Sequence, residues 1–352
     1  MGGTPWGLTA VPRYNLSVAT QLQREPGDGP LQRLLRRSVT IPAFLLGLVT
    51  WAALLPLTLP LALALDLTFR RRLAATRFVG AVLVYLVFEL IGVVAVGALA
   101  ITRRGSLAPL YALEAAWADA LLRALLWLFG MSLSVEGLDA LSPGPVLIIG
   151  NHVSVADALL PAALASARRG VRLRYVAKRE LLWDPAVDLG CHILPNVFVR
   201  RGSADTPGDL ARVRTLLDGI GPGDAVVLFP EGTRFTEAKR AALLAKREAV
   251  GPREHLDRDR RLRSLLPPHT GGLLTLLDAE AGADVVVMAH TGLEGLVRLT
   301  DLWSGRLLGR TLRVAFWRVA ASSLPAGHDA RIGWIYSQWE LLDEWVSRHR
   351  VR

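Results

Sequence analysis

The chain has 352 residues, 51% of them hydrophobic, a single cysteine (Cys191) and a formal net charge of +10. One cysteine excludes an intrachain disulfide and with it a disulfide-stapled scaffold. The charge suits an anionic partner, whether a membrane surface, a nucleic acid or a phosphorylated substrate; 7% aromatic residues, with no interleaving of basic and aromatic positions, point away from nucleic acid.

Residues 1 to 35 open the chain, and their Gly, Pro, Gln and Thr content without a sustained period reads as disordered. They do not resemble a signal peptide, because the first long apolar run starts only at Ile41. That run, 41–65, has 25 residues and no charge; a second, 78–101, has 24 residues and one charge, Glu89. About 20 apolar residues span a hydrocarbon core, so both are membrane candidates, against the alternative of two buried helices of a soluble protein. Pro42, Pro56 and Pro60 predict a bent or partly inserted first helix. Every flank is basic, Arg33–Arg37, Arg70–Arg77 and Arg103–Arg104, so charge asymmetry gives no orientation. A shallow hairpin entering one leaflet would leave all three flanks on one side. Residues 36 to 105 therefore read as a membrane-associated helical hairpin. Residues 107–130 follow as an amphipathic helix with Glu114, Asp119 and Arg123 among apolar residues, packed on the next domain or lying at the interface.

From about residue 131 short β-rich runs alternate with helical stretches. Strands are expected at 145–150, 173–178, 196–201, 225–230 and 284–289, with helices from about 154 and over 205–219. The mixed-charge stretch 252–263 reads as solvated surface. The alternation predicts an α/β fold, a mostly parallel sheet flanked by helices and preceded by N-terminal membrane helices.

The first of these strands runs into "GNHVSVAD", residues 150–157. Five residues on a helix rotate a side chain by about 140°, so His152 and Asp157 meet only if His152 sits on the turn before the helix and Asp157 in its first turn. Ser154-x-x-Asp157 also matches a capping box, in which the acid merely supports the helix start; both readings stand at this point. A zinc site is disfavoured, since zinc takes three or four protein ligands and His192, His255, His269 and His290 are scattered. Ligands of parallel α/β sheets gather beyond the carboxyl ends of strands. Lys178, Arg201, Glu231 and Arg234 all stand there, with Gly232 and Thr233 on the turn "PEGTR", so each could share a crevice with His152. Singly, each basic residue reads equally well as solvated surface.

Together "NHVSVAD", "KREL" with "VFVRR", and "FPEGTR" resemble the motifs of the glycerolipid acyltransferases of the lysophosphatidate-acyltransferase type, in the family order, over about 120–300. "FPEGTRFT", "LPPHTGG" and "DVVVMAHTG" look most like the branch that includes lysocardiolipin and lysophosphatidylinositol acyltransferases. Two positions depart from the pattern: Arg200 stands where many members have an acid, and Val287–Met288 where many carry a proline. The resemblance implies a glycerol-phosphate-acyltransferase-like catalytic domain over 106–352. It implies acyl transfer from acyl-CoA, a co-substrate, to the hydroxyl of a lysophospholipid, 1-acyl-sn-glycerol 3-phosphate giving phosphatidate, with no cofactor and no metal. His152 would be the general base, its unperturbed pKa lying near working pH, and Asp157 its partner. Lys178, Arg201 and Arg234 would hold phosphate, and Glu231, Gly232 and Thr233 would belong to the acceptor site. The domain would face the cytoplasm, where acyl-CoA is made. The rivals are a transacylase, an acyltransferase for another acceptor (glycerol 3-phosphate, lysophosphatidylinositol, lysocardiolipin), or a non-catalytic scaffold on anionic lipid. Nothing in the sequence sets an oligomeric state.

Overall fold

A computed structural model describes residues 28–102, 106–199, 206–250, 253–279 and 282–350. The disorder expected of residues 1–27 and the positions of Arg200 and Arg201 lie outside the described residues, whereas residues 30–35 are already helical.

Helix α1 (Pro30–Thr68) continues past Pro42, Pro56 and Pro60 for 39 residues, about 58 Å at 1.5 Å per residue. Helix α2 (Ala74–Thr102) returns alongside it. In the most apolar 18 residues of α1 only 6% are buried, and in those of α2 only 22%. A core helix of a soluble protein would bury most of that surface, and these two helices do not. Both helices are long and apolar enough to cross a membrane.

The hairpin touches the rest of the molecule at both ends. At its start, Arg36 bridges Asp28 and Asp188 (2.5 and 2.7 Å), Arg37 adds a second bond to Asp188 (2.7 Å), and buried His192 contacts both acids through its two ring nitrogens (2.9 Å each). Asp188 belongs to α4 (Pro185–Cys191), capped by Asp184. Along α2, Gly92 faces α4 so closely that a Cβ there would lie 2.8 Å from the Cβ of Ala186. At the turn, Arg71 donates to the carbonyl of Trp303 (2.7 Å) and Phe78 packs edge-on against the Trp303 ring (5.4 Å). Helix α3 (Ala108–Phe129) lays Leu110, Tyr111, Ala118, Leu122, Leu126 and Phe129 against the domain, as its amphipathic pattern requires.

The sheet has seven strands: β1 (Ser132–Glu136), β2 (Val146–Gly150), β3 (Arg172–Lys178), β4 (Val197–Val199), β5 (Asp224–Leu228), β6 (Asp284–Thr291) and β7 (Thr311–Val319), in the order β1-β7-β6-β2-β5-β3-β4. Strands β6, β2, β5, β3 and β4 are mutually parallel; β7 runs antiparallel to β6, and β1 parallel to β7. The parallel centre follows from composition. "VLIIG" and "AVVL" are apolar at every position, which suits strands covered on both faces. Ile148, Val227, Val286 and Met288 face one way, into a core closed by α3 and the helical run 159–169. Leu147, Ile149, Val226 and Val287 face the other way. That second face meets residues of α5 (Pro207–Arg214) and, beyond the polar α6 (Glu237–Val250) and α7 (Arg253–Arg261), of α8 (Thr270–Leu277) and α9 (His328–His349), whose Trp339 is fully buried. The 252–263 stretch is thus helical over α7, and one of its acids, Asp259, is buried against Arg247 (3.3 Å).

Candidate active site

Strand β2 delivers Asn151 and His152 at its carboxyl end, beside the carboxyl ends of β5 and β6. No regular helix starts at 154. Residues 155–158 form turns, and the helical run begins at Leu159 and passes through a π turn at Ala162–Ser166. The turns bring Asp157 back over the strand end. Its Oδ2 accepts from His152 Nδ1 (2.8 Å), from the Val153 N–H (2.6 Å) and from the Ser154 N–H (2.8 Å). The two readings of Asp157 are therefore not rivals in space, since one oxygen both supports the turn and meets the imidazole. Ser154 Oγ accepts from the Ala156 N–H (3.1 Å), a local turn bond two residues on and not the bond of a full capping box. Asp157 is fully buried, while the His152 side chain is 18% exposed. With Nδ1 engaged as the donor, Nε2 carries the lone pair and is the basic nitrogen.

The backbone of His152 is held on both sides by the "FPEGTRF" turn. Its N–H donates to Glu231 Oε1 (2.7 Å), and its carbonyl accepts from the Phe235 N–H (2.6 Å). The other Glu231 oxygen accepts from the Leu266 N–H (3.0 Å). Burial pushes the Glu231 carboxyl up, the two backbone N–H bonds pull it back, and the neighbouring Asp157 adds to the rise, so the net direction is upward. Gly232 is left-handed (φ 61°), and a Cβ there would stand 3.1 Å from the His269 ring, so glycine answers both the backbone and the space. Thr233 Oγ1 accepts from Lys239 Nζ (2.8 Å). Arg234 donates to the carbonyl of Val297 (2.5 Å), next to Leu296, whose carbonyl accepts from the Val155 N–H (3.2 Å). This closes a ring of contacts around residues 152–157. Phe229 packs against the His152 ring at 5.0 Å between centroids.

The structure thus gathers His152, Asp157, Glu231, Gly232, Thr233 and Arg234. Lys178 ends β3, two strands from β2 in the sheet order, about 10 Å across at the usual strand spacing. Beyond Lys178, a cleft of about 620 Å³ opens between the start of α1 and residues 179–183, lined among others by Leu35, Arg36, Val39, Arg179 and Trp183.

Two contributors escape the motif reading. Asn151 and His290 of β6 exchange three bonds: Asn151 Nδ2 to the His290 carbonyl (3.0 Å), the His290 N–H to Asn151 Oδ1 (2.9 Å), and His290 Nε2 to the Asn151 carbonyl (2.9 Å). They fix the peptide that precedes His152, and they put His290 Nε2 3.6 Å from Asp157 Oδ1. The signal in the sequence is only the Asn before the motif histidine, and it does not say which strand the Asn reaches.

The Acyltransferase family model matches residues 132–290. Human and bovine 1-acyl-sn-glycerol-3-phosphate acyltransferase alpha are each 31% identical over 110 residues, which is 31% of this chain and 37% and 36% of theirs. The chain therefore aligns with little more than a third of the length of these curated relatives. In fold it is similar to the 1-acyl-sn-glycerophosphate acyltransferase PlsC from Thermotoga maritima, with a TM-score of 0.51 and 16% identity over 78% of this chain and all of that one. The family match runs from β1 to the histidine of β6 and takes in His152, Asp157 and the Glu231–Arg234 turn, with Leu296 and Val297 beyond it; over that span the chain is similar to the acyltransferases.

Proposed function

We propose that the protein transfers an acyl chain from the thioester of acyl-CoA to the free hydroxyl of a lysophospholipid, 1-acyl-sn-glycerol 3-phosphate being converted to phosphatidate. The observation that carries the reading is the His152–Asp157 pair at 2.8 Å, with a buried carboxylate and a partly exposed imidazole. The acceptor hydroxyl attacks the thioester carbonyl as His152 Nε2 takes its proton. The tetrahedral oxyanion then collapses, the C–S bond breaks, and the imidazolium returns the proton to the departing thiolate. Asp157 holds the tautomer and stabilises the imidazolium, as the acid does in hydrolase triads. The attacking oxygen comes from the substrate, so no protein nucleophile enters.

Arg234 precedes Phe235, whose N–H bonds the His152 carbonyl, and arginine's planar fork matches a phosphate. Lys178 would extend that basic edge at the end of β3, and Arg201, outside the described residues, would add a further cation for the phosphate. Glu231 contributes through the backbone of His152, and Gly232 and Thr233 shape the turn that presents Arg234. The hairpin's contacts at both of its ends support a hairpin lying within one leaflet. A hairpin that crossed the bilayer would carry its turn about 30 Å or more from a domain left outside, yet Arg71 and Phe78 meet Trp303 of that domain. The catalytic domain is then at the bilayer surface, on the cytoplasmic side where acyl-CoA is available.

The deciding experiment offers labelled acyl-CoA to the purified full chain with a panel of acceptors: lysophosphatidate, lysophosphatidylinositol, lysocardiolipin and glycerol 3-phosphate. Preferred labelling of lysophosphatidate supports the reading, and preference for another acceptor replaces the substrate while leaving the chemistry. His152→Ala should lower turnover by about 10²–10⁴ with a nearly unchanged melting temperature. Full turnover in that variant would remove the base assignment, and lipid binding without turnover in the wild type would favour a scaffold.

A further inference from the structure

The turn between α1 and α2 reads "FRRRLA", residues 69–74, and the acyl-transfer reading makes no use of it. Arg70, Arg72 and Leu73 are all left-handed there (φ 52°, 52° and 63°), although none is glycine. Strain of this kind persists where surrounding structure imposes it, and it gathers at ligand clamps and other functional sites. The turn borders a cavity of about 230 Å³ whose walls are the three arginines with Ala74, Ser304, Gly305 and Leu308. Arg71 is already fixed, its guanidinium 4.8 Å from the centroid of the Trp303 ring and bonded to the Trp303 carbonyl. Arg70 and Arg72 are exposed, and neither has a carboxylate partner among the described residues.

The acids near the turn are spent elsewhere. Asp66 gives its two oxygens to the backbone N–H groups of Ala75 (2.9 Å) and Thr76 (2.8 Å), and Asp301 takes the N–H of Arg298 (2.7 Å). The cavity wall is therefore basic: the Asp66 carboxylate feels the Arg71 charge, and no carboxylate among the described residues answers Arg70 or Arg72. Its rim is apolar: Phe69 is 67% exposed, Leu73 40% and Trp303 38%, and the exposed apolar surface of α1 (Leu61, Leu63 and Leu67) runs into it. Arginines side by side with exposed Trp, Phe and Leu mark the level where head groups meet acyl chains. A free anion needs no such rim.

We propose that this turn is a binding site for the phosphate of an anionic phospholipid head group, separate from the active site. Arg71 is pre-positioned by Trp303, Arg70 and Arg72 close on the phosphate oxygens, and Phe69, Leu73 and Trp303 lie against the lipid's glycerol and upper chains. The site stands whichever acceptor the enzyme uses, because it rests on the turn and not on His152.

The test uses the full chain in detergent and calorimetric titration with dihexanoyl phosphatidylglycerol, a phosphodiester that is neither the proposed acceptor nor its product. Dihexanoyl phosphatidylcholine and inorganic phosphate are the comparison probes. Saturable binding of the anionic lipid is expected, at least tenfold tighter than either comparison probe. The double variant Arg70→Gln/Arg72→Gln should weaken it tenfold or more, and Arg234→Ala, in the active-site ring, should leave it unchanged. If the double variant loses its melting transition, Arg70→Gly and Arg72→Gly, which relax the left-handed backbone, carry the same test: each should melt at or above the wild-type temperature and bind less. The proposal is overturned if binding survives in the arginine variants, if it is lost in Arg234→Ala, or if phosphatidylcholine or inorganic phosphate binds as tightly as the anionic lipid.

Discussion

At the scale of single residues, one oxygen of Asp157 serves three donors, and this makes its two roles separable by experiment. Asp157→Asn keeps an amide oxygen for the Val153 and Ser154 N–H groups but no longer stabilises an imidazolium. Turnover should fall by about 10²–10⁴ while stability falls by about 1 kcal/mol, the usual worth of a cap; paired kinetics and thermal melts check both. Glu231 makes a different demand, because both of its oxygens accept backbone N–H bonds. Glu231→Gln turns an amide N–H₂ toward one of those donors and leaves a buried donor unpaired, a cost of about 1–3 kcal/mol. Its melting temperature should drop, with turnover falling because the displaced segment carries His152. The His152–Asp157 contact was legible in the sequence, since a histidine after a strand and an acid five residues on constrain each other locally. The function of Glu231 was not. A motif letter does not tell whether a carboxylate faces substrate or backbone, and the donors it meets lie 79 residues before and 35 after it. The Asn151–His290 clamp, across 139 residues, was hidden for the same reason.

At the scale of elements, α3 shows how an amphipathic pattern can hold one polar residue on the wrong side. Asp119 and Arg123 pair at the surface (2.7 Å), as expected of a polar stripe. Glu114 instead has a buried Oε2 with no hydrogen-bond partner among the described residues, and burial pushes its carboxyl up to about 8. Its folded value lies above the ordinary value of about 4.3, so the folded state holds the proton more tightly than the unfolded one. The associated stability is full below about pH 4.3 and is lost as pH rises through about 8. Melting temperatures of the wild type should therefore decline across that window more steeply than those of Glu114→Gln, and parallel curves would contradict the assignment. Strands β2, β5 and β6 were legible because neighbouring layers cover both faces of each, leaving apolar runs with little interruption, and β3 was legible only as the β-rich stretch "LRYVAK" despite its arginines at 172 and 174. Strands β1 and β7 carried no such mark. In β1 alternate residues are exposed, and in β7 arginines interrupt the run at 313 and 318, so their pairing is settled by the sheet edge and not by their own pattern.

At the scale of the whole molecule, the hairpin and the domain form one body joined at the Arg36–Asp188 network and at Trp303. If the hairpin lies in one leaflet, its turn and the catalytic domain share a side of the membrane. Arg70→Cys and Arg306→Cys, each in a Cys191→Ser background, should then react with a membrane-impermeant maleimide from the same face; labelling from opposite faces would establish a crossing hairpin. The two long apolar runs were plain in the sequence, but their relation to the domain was not, because the contacts that dock the turn join residues 232 positions apart. That separation also sets a schedule. At about 5–20 residues per second of synthesis, Arg71 is made about 12–46 s before Trp303. During that interval the turn has no Trp303 to dock on, although α3 and α4, which meet the hairpin along α2 and at its start, are already made. If the hairpin lies in the membrane, lipid covers its exposed apolar surface before the turn docks, and the domain assembles onto an anchor already in place, so that the protein's place in the cell is decided before its candidate site is built.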